Sequence, residues 1–96
     1  MPLYTFLMDF KGGTYIQQIE DSSPRRACLR WAENLDTSNI EGLGLKGRIS
    51  LVEQMKDEEL TPIKETINVW CVSALIQGSL ALITLIRTER EIIETV

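Results

Sequence analysis

The longest apolar pattern in the chain covers residues 67–86, a stretch without a charged side chain that is interrupted by Gln77-Gly78. As a helix it would be long enough to cross a bilayer, which takes about 20 apolar residues. Its enrichment in Val, Ile and Thr is more typical of strands, and its most polar part lies at its centre, where a hairpin would turn. We therefore predict a β-hairpin, with membrane anchoring through residues 67–86 as the alternative.

Both faces of this hairpin are mainly apolar. With Gln77-Gly78 as a two-residue loop, Leu75 pairs with Leu80 on one face, and Val72 pairs with Ile83 on the other. A strand pair with two apolar faces needs a cover on each face, and a chain of 96 residues has few elements to supply them. The pattern predicts an interface with a second copy or a protein partner. The residues expected there are Trp70, Val72, Ile83, Leu85, Ile92 and Ile93.

A first hairpin is predicted over residues 3–20, because two alternating runs flank Gly12-Gly13 and both glycines tolerate positive φ. With these glycines as the loop, Phe10 pairs with Tyr15. One face then carries the side chains expected in the core, namely Tyr4, Phe6, Met8, Phe10, Tyr15 and Ile19.

A helix follows the first hairpin. Ser23 can cap its N-terminus, Pro24 suits its first position, and we expect it to extend to about Leu35. Its apolar stripe, in which Trp31 is the largest side chain, recurs at helical spacing and would pack on the sheet.

Residues 36–47 are expected to be a connection. Within it, residues 42–47 match the GxGxxG pattern, but a dinucleotide site needs that pattern between a buried strand and a helix, and here a helix and a polar loop precede it. We therefore predict no dinucleotide cofactor. Residues 51–59 are interpreted as a short second helix, and a strand over residues 48–55 remains the alternative.

The order of these elements predicts one α+β domain over residues 1–96. We expect an antiparallel sheet of about four strands, in the order ββα(α)ββ, with one main helix packed on one face.

Composition narrows the function classes. The net charge of −4 argues against binding to duplex nucleic acid, and the absence of histidine removes the usual general base and the commonest metal ligand. The two cysteines have no partners for a zinc site and are typical of buried thiols in a reducing compartment, so we expect a cytoplasmic protein. Its first residues lack a basic region followed by an apolar segment, so we expect no secretory signal. We predict no catalytic residues, no metal and no cofactor.

The sequence therefore predicts two alternative functions. The first is a homo-oligomeric protein-interaction module, most simply a homodimer. The second is an anion- or small-molecule-binding protein, with an enzyme as one form of it, that uses a basic cluster near the glycine-rich loop. The residues of that cluster are Arg25, Arg26, Arg30, Lys46 and Arg48.

Overall fold

The computed structural model describes residues 2–88 as one antiparallel sheet with two helices on one of its faces. The elements in chain order are β1 (Leu3–Phe10), β2 (Gly13–Glu20), α1 (Pro24–Glu33), α2 (Gly44–Asp57), β3 (Thr61–Pro62), β4 (Val69–Ile76) and β5 (Ser79–Thr88). The strand order is β2-β1-β5-β4-β3. The predicted α+β class and antiparallel sheet are confirmed, with five strands instead of about four, and the second helix of the predicted order is present and longer than expected.

The β4–β5 hairpin confirms the interpretation of the charge-free stretch. Gln77 and Gly78 form its loop with φ values of 50° and 83°, and Leu75 pairs with Leu80 as expected. The alternative of a membrane-crossing helix at this place is wrong, because these residues form two strands. Among residues 2–88, no helix has the length and apolar character needed to span a bilayer.

The β1–β2 hairpin turns one residue earlier than predicted. Lys11 and Gly12 occupy the loop with φ values of 48° and 81°, so Phe10 pairs with Gly13 and not with Tyr15. The pairing is therefore shifted by two residues. A shift of two keeps every side chain on its predicted face, so the core face of this hairpin is unchanged.

Helix α1 begins as predicted. The Ser23 hydroxyl accepts a hydrogen bond from the Arg26 backbone N–H at 3.2 Å, and Pro24 lies at the first helical position. The helix ends at Glu33, with Asn34 as its C-cap.

Helix α2 starts at Gly44, inside the segment that we expected to be a connection, and the strand alternative for residues 48–55 is wrong. Buried positions repeat every four residues at Leu43, Gly47, Leu51 and Met55, which is the spacing of one helical face. A Cβ at position 47 would lie 3.0 Å from the Ile76 side chain, so glycine there allows α2 to approach β4 closely.

The core lies between the two helices and one face of the sheet. The rings of Trp31 and Phe6 stack with centroids 5.0 Å apart, and both side chains are almost fully buried. The helices run antiparallel, because Arg25 near the start of α1 reaches the C-terminal end of α2, while Arg48 in α2 donates to the Leu35 carbonyl beyond the end of α1. No helix of the described chain covers the opposite face of the sheet.

Candidate interaction surface

The helix-free side of the sheet, which we call the open face, exposes large aliphatic side chains. It consists of the residues of β1, β2, β4 and β5 that alternate with the buried ones. The exposed fractions of its largest protruding side chains are 65% for Ile16, 60% for Leu75, 54% for Leu80 and 51% for Leu82. Each of these side chains leaves half or more of its surface in contact with water, which favours covering by another apolar surface.

The apolar residues of the open face are neighbours across the strands. Leu75 on β4 pairs with Leu80 on β5, and Leu82 follows two residues later on the same side of β5. Leu7 on β1 pairs with Ile16 on β2 and lies diagonally from Leu82. Since such pairs and diagonals are within side-chain reach, the five residues form one band across four strands.

The polar residues of the open face are mostly short and bonded to each other. The Thr14 hydroxyl donates to the Asp9 carboxylate at 2.6 Å, and the Gln18 amide donates to the Thr5 hydroxyl at 3.0 Å. No lysine or arginine belongs to the open face within residues 2–88. The surface is therefore apolar with a hydroxyl-rich margin, and its acidic groups, Asp9 and Glu20, are few.

The interface residues that were expected from the sequence lie on the other face of the hairpin. Val72, Ile83 and Leu85 belong to the buried core, and Trp70 is half-buried with its ring 6.4 Å from that of Tyr4. The remaining two, Ile92 and Ile93, lie outside the described residues. The exposed apolar residues lie on the opposite face of the hairpin, where Leu75 pairs with Leu80. The alternation of the two faces along β4 and β5 was visible in the sequence.

Arg26 and Arg30 of the expected basic cluster lie beside one carboxylate. Arg26 Nε is 3.2 Å from Asp21 Oδ1, and Arg30 Nη1 is 4.0 Å from Asp21 Oδ2. The pKa of Asp21 is held below its ordinary value, first by the hydrogen bond from the Ser22 backbone N–H and then by Arg26. An anion at this place would therefore meet a carboxylate that is already ionised.

The other basic residues serve different places. Arg25 donates to the backbone carbonyls of Lys56 and Glu58, and Arg48 donates to the Leu35 carbonyl at 3.0 Å. Eight residues of helix separate Arg48 from Lys56, or roughly 12 Å along the axis. Lys46 is exposed on the first turns of α2. Arg25 and Arg48 therefore stabilise opposite ends of the helix pair, and the five cations do not surround one point.

The glycine-rich segment and the cysteines offer little chemistry. Gly47 is buried against Ile76, so its role is close packing and not an approach to a phosphate. Burial raises the pKa of the Cys28 thiol to about 11, which keeps it protonated near neutral pH. In the part of the chain described here, no three residues of the metal-ligating types His, Cys, Asp and Glu lie together as a cation site.

Comparison of this chain with protein-family models, with curated proteins and with solved structures found no match in any of the three. The exposed aliphatic band makes the open face the candidate functional site.

Proposed function

We propose that the protein is an interaction module that forms a homodimer by packing the open faces of two copies against each other. The observation that carries this proposal is the band of aliphatic side chains, led by Ile16, Leu75, Leu80 and Leu82, on a sheet face that no described helix covers. Burying such a band removes apolar surface from water, which is the main driving force of association. Two sheets packed in this way form a sandwich with about 10 Å between them.

The size of the open face supports a dimer. Four long strands spaced about 4.8 Å apart and about eight residues long, at about 3.4 Å per residue, cover roughly 500 Å² in each copy. A specific interface buries at least about 1,000 Å² in total. The two faces together reach that threshold as flat areas, and the surface of their protruding side chains adds to it.

The charges of the open face also suit a second copy. The face has no cation to repel another cation, and Asp9 and Glu20 lie on different strands toward opposite ends of the sheet. A twofold axis through the centre of the face places the two Asp9 carboxylates on opposite sides of it, because an isologous interface repeats each residue across the axis. The centre of the interface is then occupied by leucine and isoleucine side chains.

Sedimentation velocity tests the proposal with two matched variants. Leu82→Glu places a charge in the centre of the open face, and Ile49→Glu places the same charge at a similarly exposed aliphatic residue on the outer side of α2. We expect the unmodified chain and Ile49→Glu to sediment as dimers at high micromolar concentration and Leu82→Glu as a monomer with an unchanged far-UV circular dichroism spectrum. A monomeric parent protein at all concentrations, or dissociation by Ile49→Glu alone, would show that the open face is not the interface.

A further inference from the structure

The two edges of the sheet are protected very differently. At one edge, β3 pairs with β4 at Trp70 and Cys71. Farther along β4, the Gln54 side-chain amide forms hydrogen bonds with the strand backbone. Gln54 Nε2 donates to the Leu75 carbonyl at 2.7 Å, and Gln54 Oε1 accepts from the Leu75 N–H at 3.0 Å. Pro62 in β3 then closes this edge, since proline cannot donate to another strand.

The other edge, β2, has neither a described partner strand on its outer side nor a proline, and α1 reaches it through Arg30 at Glu20. Its eight residues contain no proline, lysine or arginine, and no described element pairs with its outer side. Because Phe10 and Gly13 close a two-residue loop, alternate residues of β2 direct their backbone groups away from β1. Those residues are Thr14, Ile16, Gln18 and Glu20, of which the Glu20 carbonyl accepts from Arg30 at 3.3 Å. Such an edge is a template for another strand.

A groove lies directly beside this edge, between β2 and the end of α1 with the loop that follows it. Its volume is about 290 Å³, and its apolar lining includes Tyr15, Trp31, Leu35 and Ile40. A strand added to β2 would direct every second side chain toward this groove, because side chains alternate between the faces of a sheet. The edge can supply backbone hydrogen bonds, and the groove can select side chains.

We propose that β2 and the adjoining groove bind an extended peptide segment of a partner protein by strand addition, with apolar side chains in the groove and a lysine or arginine facing Asp36. This is the mode of recognition in which main-chain hydrogen bonds supply affinity and pockets for alternate side chains supply specificity. The proposal concerns a different surface from the open face and does not depend on the homodimer.

The charge of the groove decides between this occupant and a second copy. Asp36 is the carboxylate among the groove residues, and Ser38 and Asn39 hold it in place through hydrogen bonds of 2.6 to 3.0 Å. The β2 strand of a second copy, running antiparallel, would turn Tyr15, Gln17 and Ile19 toward this groove and has no cation among them, while its Glu20 would lie on the open-face side. A basic segment gains from the field of Asp36, whereas β2 of another copy gains nothing from it.

The first test is the state of the edge in the free protein, measured by amide hydrogen exchange on the full chain. The amides of Thr14, Ile16 and Gln18 should exchange rapidly, while those of Tyr15 and Gln17, which bond to β1, should be protected. Protection of the outward amides in the free protein would mean that the chain itself or a second copy already occupies the edge, and the proposal would be wrong.

The second test uses a library of random peptides panned against the purified full chain. We expect the selected peptides to alternate apolar residues with at least one lysine or arginine, and a synthetic copy should shift the NMR signals of β2 and of the Trp31 indole. Methylating the backbone nitrogens that face β2 should weaken that peptide by about tenfold or more, since each lost hydrogen bond contributes to affinity. Failure to select peptides, selection of acidic ones, or shifts confined to the open face would overturn the proposal.

Variants of the edge complete the test. Gln18→Pro removes an outward N–H, and Gln18→Ala is its matched control because both lose the same side-chain bond to Thr5. We expect Gln18→Pro to abolish peptide binding and Gln18→Ala to retain it within about twofold. Asp36→Asn should lower the affinity by about twofold to fivefold and reduce its salt dependence. Equal affinities for both Gln18 variants would contradict strand addition.

Discussion

Replacing Gln54 with methionine tests how the β4 edge of the sheet is held. The Gln54 amide makes two hydrogen bonds with the backbone of Leu75, one as donor and one as acceptor, and thereby occupies the position of a neighbouring strand. Methionine has a similar length and a good helix propensity. Gln54→Met therefore removes both bonds to Leu75, and with them the 3.1 Å bond from Gln54 Nε2 to the Ser50 hydroxyl, with little effect on the backbone of α2.

The cost follows from the geometry of these bonds. Each intramolecular hydrogen bond contributes about 0.5–1.5 kcal/mol net, so the loss of both should cost about 1–3 kcal/mol. The bonds lie at an exposed place, where water can replace the missing partner, and this favours the lower half of that range. At neutral pH the carboxylate of Gln54→Glu cannot donate to the Leu75 carbonyl. This variant should therefore lower the free energy of unfolding by less than Gln54→Met only if its carboxylate still accepts from the Leu75 N–H.

Urea unfolding followed by the fluorescence of the two tryptophans, Trp31 and Trp70, measures this cost. With a slope of about 1–1.5 kcal/mol/M, the midpoint of Gln54→Met should fall by about 1 M, and the Leu75 amide should exchange faster with solvent. Glu53→Met, on the exposed side of the same helix turn, is the control and should leave both quantities nearly unchanged. An unchanged midpoint and unchanged Leu75 protection in Gln54→Met would refute the role of Gln54 at this edge. Protein concentration must be equal in all samples, since association adds to apparent stability.

Three further predictions concern packing, pH and thiol reactivity. Gly47→Val should lower the free energy of unfolding by about 1–3 kcal/mol in a urea titration, because a larger side chain forces α2 away from β4. The hydrogen bond from Ser22 and the adjacent arginine hold the pKa of Asp21 below its ordinary 3.8, so its contribution to stability is present above that pH and is lost as the pH falls through the lowered value. Acid unfolding of Asp21→Asn should therefore lack this part of the pH dependence, and identical acid limbs would contradict the assignment. Ellman's reagent at mildly alkaline pH should reach Cys28 only after unfolding, since burial raises the pKa of Cys28 to about 11. Rapid labelling of Cys28 in the native protein would contradict the packing of the core.

The local structure that could be predicted from the sequence is the part that short-range physics determines. Gln77-Gly78 between two alternating runs determined the β4–β5 hairpin, and Ser23-Pro24 determined the start of α1. In the first hairpin, Lys11-Gly12 and Gly12-Gly13 are both two-residue candidates for a turn with positive φ, so the turn chemistry did not separate two registers.

The start of α2 could not be predicted for a different reason. Three glycines between residues 42 and 47 have low intrinsic helix propensity, and the context of the fold overrides it. Burial of Leu43 and Leu51 against the core, with the close approach of Gly47 to Ile76, supplies the stabilisation that the propensity lacks. These contacts join segments that are distant in the sequence.

The sequence predicted that an apolar face of the sheet needs a cover, but not which face the helices leave open. Alternation along β4 and β5 showed that both faces of the hairpin require a cover, but not which face the helices would take. That choice depends on the pairing of β1 with β5, which puts Met8 beside Ile83 on the helix side and Leu7 beside Thr84 on the open side. Sequence spacing contains no signal for this pairing across more than seventy residues, so the expected interface fell on the covered face.

Methyl NMR on dilution tests the homodimer most directly, because it reports which side chains lose their contacts when the copies separate. In a sample labelled at the leucine and isoleucine methyl groups, dilution from high to low micromolar concentration should shift the signals of Ile16, Leu80 and Leu82 on the open face. The signals of Leu45 and Ile49, which are equally exposed on α2, should stay in place. Concentration-independent spectra, or shifts at Leu45 and Ile49 without shifts on the open face, would contradict the account.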